Sequence, residues 1–211
     1  MKITVFGATG GTGRHVVEQA LDAGHHVTAV VRDPAARLPR SGDSRLDPVI
    51  ADVMRPGAIE ACVTGRDAVV SALGPRGRGG GQVCAQGAQS IIAAMRATGA
   101  RRLIVVTASG HVVDEGDDLL NRALVKPLLR RFLREGFADF ARTEELVRAS
   151  GLDWTIMRPP RLTDGARRPY RTALDRNVRG GITIARADLA HAVLTALDDP
   201  ATAGHTISLG Y

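Results

Sequence analysis

GATGGTG, running from Gly7 to Gly13, is the stretch whose reading decides the fold. It stands directly behind the apolar run Lys2–Phe6 and opens a helical pattern near Thr12. A tight glycine turn between a strand and a helix turns backbone N–H groups and the positive end of the helix toward an anion. The glycines serve separate ends, namely a sharp turn, close approach of a pyrophosphate to the backbone, and close packing of helix on strand. The spacing is G-x-x-G-x-x-G rather than the commoner G-x-G-x-x-G. Glycines alone are a weak signal, and a flexible loop is the plain alternative. The strand–turn–helix context is what the motif requires, and it points to dinucleotide binding by Gly7, Thr9, Gly10, Gly11, Thr12 and Gly13.

Outward from this turn, apolar strand-sized runs alternate with amphipathic helical patterns. Strands are expected at Ile3–Phe6, His26–Val31, Pro48–Ala51, Ala68–Ala72, Leu103–Thr107, Trp154–Met157 and Thr206–Leu209. Helices are expected near Thr12–Ala23, Pro56–Cys62, Val83–Thr98, Phe137–Ala149 and Ala187–Leu197. Such alternation implies right-handed crossovers, a parallel sheet and helices on both faces. The expected class is α/β, a Rossmann-like doubly wound sheet of order 3-2-1-4-5-6 with the last strand added at an edge. Ligands of such sheets bind beyond the carboxyl ends of the strands. The low-complexity run Pro75–Gly81 reads as a mobile loop. Asp117–Glu135, broken by Pro127, reads as one kinked or two short helices, a lid or packing element beside the site mouth.

With 211 residues and 44% hydrophobic content, the chain suits one domain with a sizeable core. The substrate pocket is expected from strand-end loops and from residues about 110–135 and 158–185. No apolar run is long enough to span a bilayer, and Met1–Phe6 leads into the first turn rather than a signal peptide. A cytoplasmic location follows as an expectation. Cys62 and Cys84 lack metal spacing and read as buried thiols. The net charge of +6 comes almost wholly from arginine, since Lys2 and Lys126 are the only lysines. Aromatic content of 3% and the lack of a DNA-binding pattern argue against a nucleic-acid partner. A phosphorylated cofactor and an anionic substrate explain the charge more simply. Monomer and small homo-oligomer both remain open.

The second strand ends in Val30-Val31-Arg32-Asp33-Pro34. A carboxylate there accepts both ribose hydroxyls of NAD, whereas arginine accommodates the 2′-phosphate of NADP. Arg32 and Arg37 favour NADP through paired, charge-assisted hydrogen bonds; Asp33 keeps NAD as the less favoured alternative. Arg14, early in the first helix, is either a phosphate anchor or a solvated arginine. Asp52 suits the adenine amino group, with Val53 against the ring; its plain alternative is a helix cap before Pro56. Leu73-Gly74 lets the backbone pass close to the middle of the cofactor, and Arg76 follows it.

GATGGTGR, VVRDP, Asp52-Val53, ALG and above all SGLDWTIMRPPRLTDG (Ser150–Gly165) resemble the atypical short-chain dehydrogenases of the NAD(P)H-binding family. Within them the likeness is to the flavin reductase and biliverdin IXβ reductase-like branch, over essentially the whole chain. The resemblance implies a small NADPH enzyme reducing flavins or, in some members, linear tetrapyrroles. It implies the glycine loop for pyrophosphate and Arg32 with Arg37 for the 2′-phosphate. It also places Leu73-Gly74, Thr107-Ala108-Ser109 and Met157–Pro160, including Pro159, around the nicotinamide.

Departures from the pattern bear on chemistry. Alcohol-oxidising relatives use Tyr-x-x-x-Lys, the lysine lowering the tyrosine pKa. Here only Tyr170 and Tyr211 exist, neither with lysine four residues on, and the equivalent helix carries Phe137, Phe140 and Arg142. Relatives often have serine at the position of Ala108 and, in some, histidine at that of Arg161. Ser109 replaces that serine only if the strand ends first, since strand neighbours face opposite ways. A general acid contributes about a hundred- to ten-thousandfold, a loss best tolerated by flavins and quinones, which delocalise the charge they accept. Ser109 and Arg161 are the catalytic candidates. His111, a lone loop histidine, is expected to be solvated. Pro159-Pro160 forms a rigid wall, Asp188 favours the last helix's N-terminus, and Tyr170 reads as half-buried.

The leading expectation is therefore an NADPH-dependent reductase of FMN, FAD, a quinone or another planar conjugated acceptor. A non-catalytic NADP sensor equally dispenses with Tyr-x-x-x-Lys. A sugar-nucleotide epimerase or dehydratase is disfavoured, because such enzymes keep the tyrosine and a larger substrate domain.

Overall fold

Among the described residues the expected strands and helices are present in the expected order, each boundary within a few residues of its place. The computed structural model describes residues 1–74, 82–112 and 134–211. The first half contains β1 (Lys2–Phe6), α1 (Gly11–Asp22), β2 (His26–Val31), β3 (Leu46–Ile50), α2 (Pro56–Val63) and β4 (Ala68–Ser71). Then come α3 (Val83–Thr98), β5 (Arg102–Val106), α4 (Arg134–Arg148) and β6 (Asp153–Arg158). The remainder holds β7 (Arg161–Thr163), β8 (Arg171–Leu174), β9 (Thr183–Ala185), α5 (Arg186–Asp198) and β10 (His205–Gly210). The run Pro75–Gly81 and most of Asp117–Glu135 lie outside the described residues.

The main sheet runs β3-β2-β1-β4-β5-β6-β10-β8. Its first six strands follow the expected order, all parallel. β10 extends the sheet past β6 in parallel, and β8 closes its outer side in antiparallel register. β7 and β9 form a separate parallel pair. The strands β7, β8 and β9 were not expected from the sequence. β7 and β8 are short, contain no fully buried residue and begin with arginine, so they carry little of the alternation that marks a half-buried strand.

Period-two alternation sends successive strand residues to opposite cores. Ile3, Val5, Val27, Ala29, Val70, Ile104 and Met157 face the side covered by α1 and α5. Phe6, Val30, Val69, Leu103, Val105 and Ile156 face the side covered by α2, α3 and α4. Burial on both faces explains why these strands read as continuous apolar runs. Among the described residues, no helix is long and apolar enough to cross a membrane.

Two glycines set how closely β1, α1 and β4 meet. Gly7 has φ +77°, and a Cβ there would stand 2.5 Å from the Ala72 carbonyl oxygen, just past β4. A Cβ on Gly13 would stand 2.1 Å from the Gly7 carbonyl oxygen. Both obstacles are backbone and cannot rotate aside. Gly13→Ala is expected to cost about 1–3 kcal/mol, the usual range for overpacking. Gly10→Ala, with Gly7 oxygen at 3.2 Å as its nearest neighbour, is expected to cost less. Denaturant unfolding of both variants reads the difference.

Candidate functional site

The chain builds outward from β1 through β2 to β3, then crosses to β4 on the other side of β1. That reversal opens a crevice at the carboxyl ends of β1 and β4, where open α/β sheets take their ligands. A cleft of about 580 Å³ lies there, within the size range of small-molecule sites. Gly7, Thr9, Gly10, Gly11 and Thr12 line it, as do Arg32, Val53, Leu73, Gly74 and Thr107. Expected residues from the ends of several strands thus converge on one cavity.

Two helices begin at this cleft, and they differ in how their first amides are met. At α3, buried Asp139 reaches over from α4: its Oδ2 accepts from the Cys84 N–H at 2.9 Å and its Oδ1 from the Ala85 N–H at 2.8 Å. α1 is preceded by Gly10, which offers no side-chain acceptor, and its first turn contains no acidic residue. An anion in the cleft would complete α1 as Asp139 completes α3. Arg32 stands exposed beside the cleft and engages no hydrogen bond or ion pair among the described residues. Asp33, by contrast, accepts the Ala35 N–H at 2.9 Å through its Oδ1. Val31, Val53 and Met54 add apolar surface beside Arg32. An uncapped helix start, an unengaged arginine and an apolar wall fit a dinucleotide.

Other expected residues lie behind or beside the cavity. Gly13 packs under the loop instead of lining it. Arg37 is outside the cleft lining. Asp52 is exposed; its Oδ1 accepts the Met54 N–H at 3.0 Å, while the residue capping α2 is Arg55. Ala108, Ser109 and Pro159 do not line the cavity; the Ser109 N–H donates to the Pro159 carbonyl at 2.8 Å. β5 ends at Val106, so Ser109 sits in a 3-10 turn, free of strand alternation. Arg161 is exposed at the start of β7, and Arg76 lies outside the described residues. Tyr170 is half-buried, bonded through its hydroxyl to His191 Nδ1 at 2.8 Å. Asp188, in the first turn of α5, is buried and accepts from the Tyr211 hydroxyl at 2.6 Å.

Sequence reasoning missed Phe140, Leu162 and Arg186 as site residues, yet all three line the cleft. Phe140 had a signal. It stands four residues before Glu144, the spacing of Tyr-x-x-x-Lys, with phenylalanine and glutamate in the two places. Leu162 and Arg186 had none, because they belong to the unexpected strand pair β7 and β9 and the helix that follows.

Behind Thr107 lies a buried charge centre that also escaped notice. Glu144 Oε1 accepts from the Thr107 hydroxyl at 2.9 Å and from Arg158 Nε at 2.8 Å, and lies 3.3 Å from His111 Nε2. Its Oε2 accepts from Arg158 and from Arg148 Nη2, the latter at 2.9 Å. Burial pushes the Glu144 pKa up, but the hydrogen bonds from Arg158 and His111 outweigh it and hold the carboxyl well below the usual range. The His111 side chain is only 7% exposed, so the expectation of a solvated histidine is corrected: Glu144 and the rings of Phe137 and Phe140 enclose it. Both cysteines are buried as expected, and burial, with Asp139 beside it, pushes the Cys84 thiol up to about 12. Such a thiol is no nucleophile at neutral pH.

The model of the NAD(P)H-binding family matches residues 7–200, and the chain belongs to that family. An uncharacterized protein of Mycobacterium tuberculosis is 36% identical over 111 residues, which is 53% of this chain but only 12% of that protein. The chain is similar to the structure of a proposed NADH-flavin reductase from Streptococcus pneumoniae, with 25% identity, TM-score 0.80, and coverage of 100% of this chain and 99% of that one. It shares its fold with a short-chain dehydrogenase/reductase from Veillonella parvula in complex with NADP, with TM-score 0.84, 20% identity, and coverage of 100% and 94%. The chain thus combines a Rossmann fold with membership of the NAD(P)H-binding family.

Removing the Glu144 carboxylate strands Arg158 in the interior. Glu144→Ala is expected to cost about 3–5 kcal/mol, the range for breaking a buried pair from one side. Because the folded pKa lies below the unfolded value of about 4.3, the stabilisation is complete above that pH and lost as pH falls through and below it. Urea unfolding from pH 7 to pH 3 should show a steeper loss in the native protein than in Glu144→Gln.

Proposed function

We propose that the protein is an NADPH-dependent reductase that passes hydride to a flavin-like or other planar conjugated acceptor such as FMN, FAD or a quinone. The observation that carries this reading is the cleft's lining: Arg32 and Arg186 are its only ionisable residues among those described. Arginine serves such a site as a fixed charge and a fork of hydrogen-bond donors. The Thr107 hydroxyl is committed to Glu144. Phe140 lines the cavity, and among the described residues no tyrosine does. A lining of this kind suits acceptors that delocalise charge and take their proton from water.

Within the proposal, the opening loop and α1 hold the pyrophosphate, and Arg32 holds a 2′-phosphate. Arg32 beside the cleft, with Asp33 turned back onto Ala35, supports NADP over NAD. Val31, Val53 and Met54 offer a face for the adenine. The nicotinamide, when bound, supplies the hydride; the protein's part is orientation and exclusion of water. Leu73, Val106, Phe140 and Leu162 give the other end of the cleft an apolar surface. Ser109, just past β5, is proposed to donate a hydrogen bond to the acceptor, and Arg161, just past β6, to hold an anionic group on it. The setting proposed is the cytoplasm, with both thiols reduced.

The test is NADPH oxidation on adding FMN, FAD or a quinone, with NADH in parallel. Turnover with NADPH is expected, and Arg32→Ala should raise KM for NADPH roughly tenfold to a hundredfold while changing KM for NADH little. Tight binding of NADPH with no oxidation by any acceptor would instead support a sensor.

A further inference from the structure

Arg186 is the first residue of α5 and follows β9 directly. Its side chain runs back across the start of α1. A Cβ on Gly11 would stand 2.6 Å from Arg186 Nε and 2.8 Å from its Cδ, so the side chain lies flat on the glycine backbone. The glycine at that position therefore makes room for an arginine. Arg186 is 28% exposed and lines the cleft. Its Nη1 donates to Asp164 Oδ1 at 2.5 Å, and that carboxylate is 86% exposed.

This placement is costly as it stands. A cation beside the first turn of a helix opposes the positive end of the helix dipole. Asp164 compensates from the solvent side, where water screens it. The remaining donors of the guanidinium fork are oriented by a stem pressed on Gly11, next to a helix start that has no side-chain cap. Two sources of positive potential from different parts of the chain thus meet at one wall of the cleft.

We infer that Arg186 is a pyrophosphate-binding residue, reaching the diphosphate from beside the glycine loop, with Asp164 as the counter-charge that holds it in place. The inference rests on the dinucleotide reading above and adds to it a side chain from the far end of the sequence. It makes a distinction that Arg32 does not. Arg32 reads a 2′-phosphate that only NADPH carries, whereas the diphosphate is common to NADPH, NADH and ADP.

Calorimetric titration of the native protein, Arg186→Ala, Arg186→Lys and Arg32→Ala with NADPH, NADH and ADP tests the assignment. Arg186→Ala should weaken all three by a similar factor, roughly tenfold to a hundredfold, as expected for lost charge-assisted hydrogen bonds. Arg186→Lys keeps the charge but not the fork, and should fall between it and the native protein. Arg32→Ala should weaken NADPH alone. Affinities within about twofold of native for all three ligands in both Arg186 variants, a change too small for a lost charge-assisted bond, would overturn the inference while leaving the dinucleotide reading intact. A loss confined to NADPH would do the same. A native protein that binds none of the three overturns both. Should Arg186→Ala fail to fold, the lysine variant decides alone.

Discussion

The contact of Gly13 with the carbonyl of Gly7 is the constraint on which the rest of the molecule depends. α1 starts so close to the end of β1 that a single methyl group on Gly13 would collide with backbone. That closeness leaves the first amides of α1 at the carboxyl edge of the sheet. The end of β4 presses on the same turn through Ala72. Three elements from different parts of the sequence are thereby gathered around one small loop, and the reversal of strand order at β1 leaves the space beyond them open.

Around that opening the polar groups have been matched with one another, with few left over. Asp139 completes α3, and Glu144 neutralises Arg158 while tying β5 and β6 to α4 through Thr107 and Arg158. These arrangements hold the wall of the cleft without presenting a carboxylate, imidazole or thiol to it among the described residues. What faces the cavity is mainly glycine backbone, apolar side chains and two guanidinium groups. In the proposal, a site made this way takes phosphate and a flat, apolar partner and leaves the chemistry to what is bound.

Much of this was legible in the sequence, for reasons that are local. The glycine turn, the apolar strand runs and the arginine after β2 each declare themselves within a dozen residues, so the sheet order and about half of the cleft lining could be placed. Residues whose role depends on packing between distant elements could not. Arg186 acquires its position only because α5 lies beside α1, and its companion strands β7 and β9 are three residues each. His111 looked like an ordinary loop residue, yet Glu144 and two phenylalanines from α4 bury it. Asp52 shows the converse: its local turn onto Met54 was readable as a cap, but the helix begins later, after Arg55.

Backbone amides at the start of α1 hold the diphosphate in this proposal, and every other assignment follows from that grip. Amide-resolved NMR during titration with NADPH tests it most directly. Saturable shifts centred on the N–H resonances of Gly10, Gly11, Thr12 and Gly13 are the expected result. Saturation that leaves those four resonances in place, or no change anywhere in the spectrum, would contradict the account.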